Sequence, residues 1–437
     1  MKKKLARVIP LILVAIISLS TVGCGVPKEK PTLKDEKEMF IGAYCAPLPS
    51  DKTYKEAAEC GITTIFAGGG DYWKYFNYND PGYYEDPLYF GEKYGIDILF
   101  HVQDTSYSVM TKHQDYIKSH PNFKGFLVWD EPEFDNFDYL AKDYTKFVVD
   151  YPNTPYFVNL LPLYAEGDQL PKGSYKQYLV EYYYKVFSKY DSRHKILMCD
   201  VYPLMTGEIY SKWLYNLELL RTVADKQDGD LYLYLQSQGF LGRWRQPTSA
   251  ADMTYQMYVY LAYGVEGVAH YPYRTPESSG ASNPGVIDKN DKPTYMYDFV
   301  KSMNTLLHKL DGPYFNFDWQ GVIASVGTQN IDGYNPNFDN AQNMIENYGV
   351  LKEVKSTKDA IVGCFENDDG YQAFMAVNFT DPNWQERNTI TLTFNKRCNK
   401  AIVYLKGEPK IMDIEDGQLK VTLKQGEGAF VIPYKEK

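Results

Sequence analysis

Trp129-Asp130-Glu131-Pro132 sets two adjacent carboxyl groups beside an indole and ahead of a proline. A carboxylic acid in such aromatic company keeps its proton to higher pH and can donate it near neutrality, which is general-acid chemistry. The same two residues would also serve as the negative first turn of a following helix. Asp200, in Cys199-Asp200-Val201-Tyr202-Pro203, is the next candidate, either as base or nucleophile or as an acceptor for sugar hydroxyls. Asn159 and His101 suit positioning or structural work better than proton transfer. Tyr44, Tyr202, Tyr271 and Tyr273 offer rings that can stack on a sugar face, or that simply pack. Gln236, Gln238 and Arg274 complete the polar set.

These residues share a position. Each stands at or just beyond the end of a short apolar, β-branched or aromatic run: Phe40–Cys45, Thr63–Ala67, Ile96–Val102, Gly125–Asp130, Tyr156–Leu161, Lys195–Val201, Leu231–Leu235 and Gly267–Tyr271. Successive starts lie 23 to 39 residues apart, room for a strand, a helix and two loops each time. Helical periodicity fills the gaps. After Asp135, a plausible N-cap, Phe137, Leu140, Tyr144 and Phe147/Val148 mark one helix; Phe299, Met303, Leu306/Leu307 and Leu310 mark the last. Eight such units predict an α/β fold, a (β/α)8 TIM barrel over 39–311 whose reactive face is the C-terminal end of its strands. An open doubly wound sheet is the rival, but no glycine fingerprint follows the first strand. Gly68-Gly69-Gly70 lacks a Lys-Ser/Thr partner and reads as a tight turn. From Gly312 the pattern changes to short alternating strands with turn clusters such as Asn367-Asp368-Asp369-Gly370. This predicts a C-terminal all-β sandwich over 312–437, a structural cap or a sugar-binding accessory.

The chain of 437 residues carries 46 Lys+Arg against 56 Asp+Glu, a net charge of −10. That balance offers no basic stripe for nucleic acid. With 16% aromatic and 23% charged residues, intrinsic disorder is excluded as well. Lys2, Lys3, Lys4 and Arg7 precede the apolar run Val8–Ile17, too short for a span and suited to a signal peptide over 1–23. Small residues before Cys24 match a bacterial lipobox, so Cys24 is the expected lipidation site and 24–38 a polar tether. The expected locality is the outer face of a cell membrane, held by that lipid. Losing 1–23 removes four basic and no acidic residues and takes the charge to −14. Cys45, Cys60, Cys199, Cys364 and Cys398 remain, an odd number without CxxC spacing, and the six histidines show no HxxxH. No metal, no cofactor and no disulfide framework is expected.

The motifs FLVWDEP, FVNLLP, CDVYP and RWRQPTSAADMTYQMYVYLAYGVEGVAHYPYR, with the β-rich C-terminal part, carry a resemblance. Over Phe40–Arg274 the chain resembles clan A (β/α)8-barrel glycoside hydrolases, and in particular family 42-like barrel domains on surface lipoproteins. The resemblance implies a carbohydrate substrate and a general acid/base glutamate in an Asn-Glu-Pro motif on the fourth strand. Glu131 and Pro132 match that motif, and Asp130 stands where it has asparagine. It further implies a nucleophilic glutamate at the end of the seventh strand, where this chain has Leu235-Gln236-Ser237-Gln238. Glu266 lies at the entry of the eighth strand and Glu277 in the loop beyond, so neither replaces it. Three arrangements remain open. Glu131 could act with Asp200 across the ~6.5–9.5 Å that inversion needs. Asp130 and Glu131 could act with a loop carboxylate such as Asp104 or Glu277. Or the barrel could bind saccharide without cleaving it.

Overall fold

A computed structural model describes residues 29–34, 37–75, 80–102, 113–191, 195–279, 282–330 and 335–436. The expected signal segment, Cys24 and the strand-3 exit residues Gln103 and Asp104 lie outside the described residues. No described helix is long and apolar enough to cross a membrane.

Eight parallel strands close into a barrel: β1 (Phe40–Ala43), β2 (Thr64–Ala67), β3 (Asp97–His101), β4 (Phe123–Asp130), β5 (Tyr156–Leu160), β6 (Ile196–Cys199), β7 (Asp230–Gln236) and β8 (Gly267–Tyr271). β8 pairs with β1 through Phe40↔Gly267 to Ala43↔His270, which closes the ring. A helix follows each strand: α1 (Asp51–Glu59), α2 (Gly82–Tyr94), α3 (Gln114–Ser119), α4 (Phe137–Asp150), α5 (Tyr175–Lys185), α6 (Trp213–Asp225), α7 (Ala250–Ala262) and α8 (Tyr295–His308). α4 buries the expected stripe of Phe137, Leu140, Tyr144 and Phe147, although Asn136 rather than Asp135 stands at its N-cap. Asp135 instead belongs to a single 3-10 turn, Phe134–Asn136. Gly68 and Gly70 have φ of +93° and +64°, and a Cβ on Gly68 would meet the Tyr83 hydroxyl at 2.4 Å. The triple glycine is thus a tight turn, as its sequence suggested.

Alternation along the strands sorts two layers. Inward-facing Phe66, Leu99, Leu127, Phe157, Met198, Tyr232, Tyr234 and Ala269 fill the barrel, while Ile41, Ile65, Phe126, Leu233 and Val268 face the helices. One break in this alternation matters for the site. In the β4–β5 ladder Leu127 pairs with Phe157, but Trp129, not Val128, pairs with Val158, and Asp130 with Asn159. The extra residue is a bulge that reverses the facing of everything after it. Strict alternation from Leu127 would turn Trp129 inward; the bulge turns it onto α4, edge-on to Tyr139 at 5.6 Å, and turns Asp130 inward.

Beyond α8 the chain forms two antiparallel sheets. Strands β9 (Asp318–Ser325), β10 (Leu351–Ser356), β11 (Ala360–Glu366), β12 (Gln372–Asn378), β13 (Asn388–Phe394), β14 (Lys400–Leu405), β15 (Glu408–Asp413), β16 (Gln418–Leu423) and β17 (Gly428–Tyr434) follow in order. Six of them pair as β9-β11-β12-β17-β14-β15 and three as β10-β13-β16. The facing sides share a core that includes Val362, Phe374, Leu392, Phe394, Val403, Leu419 and Val431. β10 and β15 are not apparent in the sequence. Both are edge strands, and β15 is exposed almost throughout, so neither shows the apolar alternation by which strands are recognised. The larger sheet lies on α7, where Gly363 abuts the Ala262 backbone and Gly428 the Tyr258 ring. A Cβ there would come within 2.3 and 2.4 Å of those atoms.

Candidate active site

At the C-terminal mouth of the barrel lies a cavity of about 600 Å³, a size usual for small-molecule sites. Its floor holds three carboxyl groups. Asp130 accepts the Tyr44 hydroxyl at 2.7 Å on one oxygen and the Asn159 amide at 2.8 Å on the other. The same Asn159 Nδ2 donates to Asp200 Oδ1 at 3.2 Å, so β5 ties the ends of β4 and β6 together. Glu131 follows Asp130 with φ of +52°, in the left-handed region that residues with a Cβ rarely occupy. Its N–H donates to the Asn159 carbonyl at 2.8 Å, which holds that turn. This conformation swings the side chain back over the mouth, into hydrogen-bonding reach of Asp200. The outlier sits at the chemistry, where such strain is most often found.

Two of these acids are shifted by their surroundings. Burial raises Glu131 to about 7, with the charge of Asp130 adding to the rise and the hydrogen bond from Asp200 opposing it. Glu131 is open to the cavity, so solvent moderates this shift. Asp200, 8% exposed, is pushed well above the ordinary carboxyl range by burial and then by Glu131 and Asp130. Both shifts favour the protonated forms of Glu131 and Asp200. Among the described residues lining the cavity there is no lysine or arginine.

The walls are aromatic. Tyr202 stacks on Tyr271 at 5.6 Å, and Phe240 on Trp244 at 4.7 Å with Tyr164 beside it. Phe240 and Trp244 flank a tight turn in the β7–α7 loop, and Trp244 Nε1 donates to the Tyr202 carbonyl. Gln238 lines the cavity and donates to the Asn283 carbonyl, joining this loop to the one after β8.

Of the residues singled out in the sequence, Tyr44, Asp130, Glu131, Asn159, Asp200, Tyr202, Gln238 and Tyr271 line the cavity together. Others lie elsewhere. Trp129 faces α4 because of the β4 bulge and does not line the cavity. Gln236 is fully buried and spends its amide on Leu204 and Arg245 of the loops above. His101 is half-buried beside Tyr44, at 5.7 Å between ring centroids, and desolvation lowers its pKa. Arg274 pairs with Asp291 and Tyr75 outside the cavity. Tyr273 is fully buried. Glu266 pairs with Arg221 at the opposite end of the barrel, and Glu277 accepts the Tyr75 hydroxyl. Glu131 lies within hydrogen-bonding reach of Asp200, nearer than the gap that inversion would need.

Tyr164, Tyr234, Phe240, Trp244, Ser278, Ser279 and Asn283 also line the cavity, and the strand-end reading misses them. Tyr234 is legible, since it alternates inward with Tyr232 on β7; the others sit in loops that carry no periodic signal. A buried row of Ser237, His270 and Asn304, with contacts of 3.1 and 3.0 Å, has the look of a nucleophile relay. Burial lowers His270 to about 4 and Ser237 has no exposed surface, so the row ties β7 and β8 to α8. For metal, the described residues offer Glu38, His308 and Asp311, with ligand atoms within 4.8 Å of one another. That group lies by the entry of β1, at the barrel end away from the cavity.

No protein-family model matches the sequence, and no curated protein matches it either. Solved structures do resemble it. A β-galactosidase from Bacillus circulans sp. alkalophilus aligns over 92% of this chain and 100% of its own, with 9% identity and a TM-score of 0.55. A GH30 endoxylanase from Clostridium papyrosolvens C71 covers 94% and 98% at 11% identity and a TM-score of 0.45. A family 30 subfamily 8 xylanase from Clostridium acetobutylicum covers 92% and 97% at 8% identity and a TM-score of 0.44. The likeness to the β-galactosidase establishes the fold this chain shares with it, a closed (β/α)8 barrel followed by a β-sandwich.

Proposed function

We propose that this protein is a glycoside hydrolase acting on an oligo- or polysaccharide, with Glu131 as the general acid. One observation carries the reading. Glu131 stands at the exit of β4 with its pKa raised to about 7, open to an aromatic-walled cavity and backed by two further carboxyls. A glycosidic bond needs a proton on its leaving oxygen, and an acid tuned near the working pH gives it best. Sugar rings present C–H faces to aromatic walls and hydroxyls to amides, which fits Tyr202, Tyr271, Phe240, Trp244, Asn159 and Gln238. In this reading Asp200 holds and tunes Glu131 through the hydrogen bond between them rather than activating water. The neighbour that shares the whole fold, a β-galactosidase, is of the same reaction class.

A second reading, saccharide binding without cleavage, is favoured by one fact: β7 brings no carboxylate to the cavity. A hydrolysis screen run beside a glycan array on the soluble protein without residues 1–24 separates the two. Released sugar supports the hydrolase; tight binding with no product over a broad panel removes it. Placement at the cell exterior through a lipid on Cys24 belongs to the same proposal. Cys24→Ala should leave the membrane fraction and fail to incorporate labelled palmitate, and unchanged membrane association would contradict the anchor.

A further inference from the structure

A glycosidase that works through a covalent or neighbouring-group intermediate needs a nucleophile opposite its acid, and the described residues lining the cavity do not supply an evident one. Its carboxyls among the described residues are Asp130, Glu131 and Asp200, at the exits of β4 and β6 on either side of β5. Glu131 lies within hydrogen-bonding reach of Asp200, too near for one to attack a sugar carbon while the other protonates its leaving group from ~5 Å away. Ser278 and Ser279 line the rim, but among the described residues no histidine lines the cavity to activate them. Tyr44, bonded to Asp130 at 2.7 Å, is the remaining protein candidate. Burial first, and then Asp130, raise its pKa, which opposes ionisation. An anionic sugar would moreover meet three carboxyls with no lining cation.

We infer that the nucleophile comes with the substrate: the cavity is built for a 2-acetamido-2-deoxy sugar whose own carbonyl oxygen attacks C1. The inference rests on the hydrolase reading above and names its substrate class. Asp130 is placed for the second task this chemistry requires. It immediately precedes the acid, faces inward because of the β4 bulge, and is oriented by Tyr44 and Asn159. A carboxylate so fixed accepts the acetamido N–H and offsets the positive charge that develops on that group. Tyr44, Tyr202 and Tyr271 surround the position with ring surface for the methyl group. Two lining residues also keep hydrogen-bonding capacity unused among the described residues, an acceptor at Asn159 Oδ1 and a hydroxyl at Tyr234.

The step balances. The Glu131 proton passes to the glycosidic oxygen as the C1–O bond breaks, and the carbonyl oxygen bonds to C1 to give an oxazolinium ion. Glu131, now a carboxylate, takes a proton from water as the water oxygen bonds to C1. In that same displacement the C1–O bond of the oxazolinium ion breaks, which returns the acetamido group. Because the carbonyl oxygen reaches C1 only from the face opposite the leaving group, the substrate is 1,2-trans, hence β-linked in the gluco or galacto series.

The test uses 4-methylumbelliferyl β-glycosides of N-acetylglucosamine and N-acetylgalactosamine, the corresponding glucoside and galactoside, and the two sugar thiazolines as inhibitors. The expected result is cleavage of an acetamido substrate at least about 100-fold faster than its hydroxyl counterpart, because the nucleophile is missing from the latter. The matching thiazoline should inhibit competitively. Asp130→Asn should lose about 100-fold or more on the acetamido substrate with folding intact by circular dichroism. Comparable or faster cleavage of the 2-hydroxy glycosides would overturn the inference and leave the hydrolase reading standing. Failure to cleave any substrate, with neither thiazoline bound in calorimetry, would overturn both.

Discussion

Asp130, Glu131 and Asp200 are set to different tasks by their surroundings. Asp130 is held by two donors, Asp200 is buried, and Glu131 faces the cavity on a left-handed turn. Since Glu131 is raised to about 7, kcat/KM should fall as pH rises through that value, because the acid form is lost. Asp130 is one cause of the rise, so Asp130→Asn should move this basic limb to lower pH, measured on whatever activity the variant retains. An unmoved limb would detach Asp130 from the acid. The same shifts carry a stability sign. Glu131 and Asp200 bind protons more readily folded than unfolded, so their contribution is complete below the unfolded carboxyl range and fades as pH climbs through about 7. Denaturant unfolding at pH 5 and pH 8 should therefore show Asp200→Asn closing part of the gap between those two conditions.

At the level of elements, the bulge in β4 decides which side chain meets the substrate. Trp129→Ala should cost about 1–3 kcal/mol, because a half-buried indole is lost from the α4 interface. It should leave the basic limb of the pH profile in place; a displaced limb would mean that the indole does tune the acid. Here the sequence is a partial guide. Run lengths and spacing make all eight barrel strands legible, and reading their ends brings Asp130, Glu131, Asn159 and Asp200 to one face. A bulge has no signature in composition, so alternation from Leu127 assigns Trp129 to the wrong layer. The contact between Glu131 and Asp200 is equally hidden, since it depends on one backbone angle and on a bridging amide from β5. Loop aromatics such as Phe240 and Trp244 escape because a turn in a connection leaves no period to read.

On the scale of the whole molecule, barrel and sandwich share one apolar core. Phe379 stacks on Trp213 and Tyr255, and Phe365, Met375 and Phe430 join the cluster that surrounds the barrel. This supports the sandwich as a structural partner of α7. Gly363→Val should lower the melting temperature and expose the α7 face, read by proteolysis, since its branched side chain has no room against the Ala262 backbone. Independent melting of two undisturbed units would count against a shared core. The tyrosines, 41 in all, divide on the same scale. Tyr54, Tyr84, Tyr178 and Tyr260 pack between strands and helices, and only a few reach the cavity. The claim on which the rest depends is that Glu131 delivers the proton. Its most direct test is the rate of Glu131→Gln against wild type on aryl glycosides of graded leaving-group acidity. The account predicts a loss of about 10³-fold or more with poor leaving groups, shrinking toward wild type as the leaving group ceases to need a proton; an equal rate on every leaving group would contradict it.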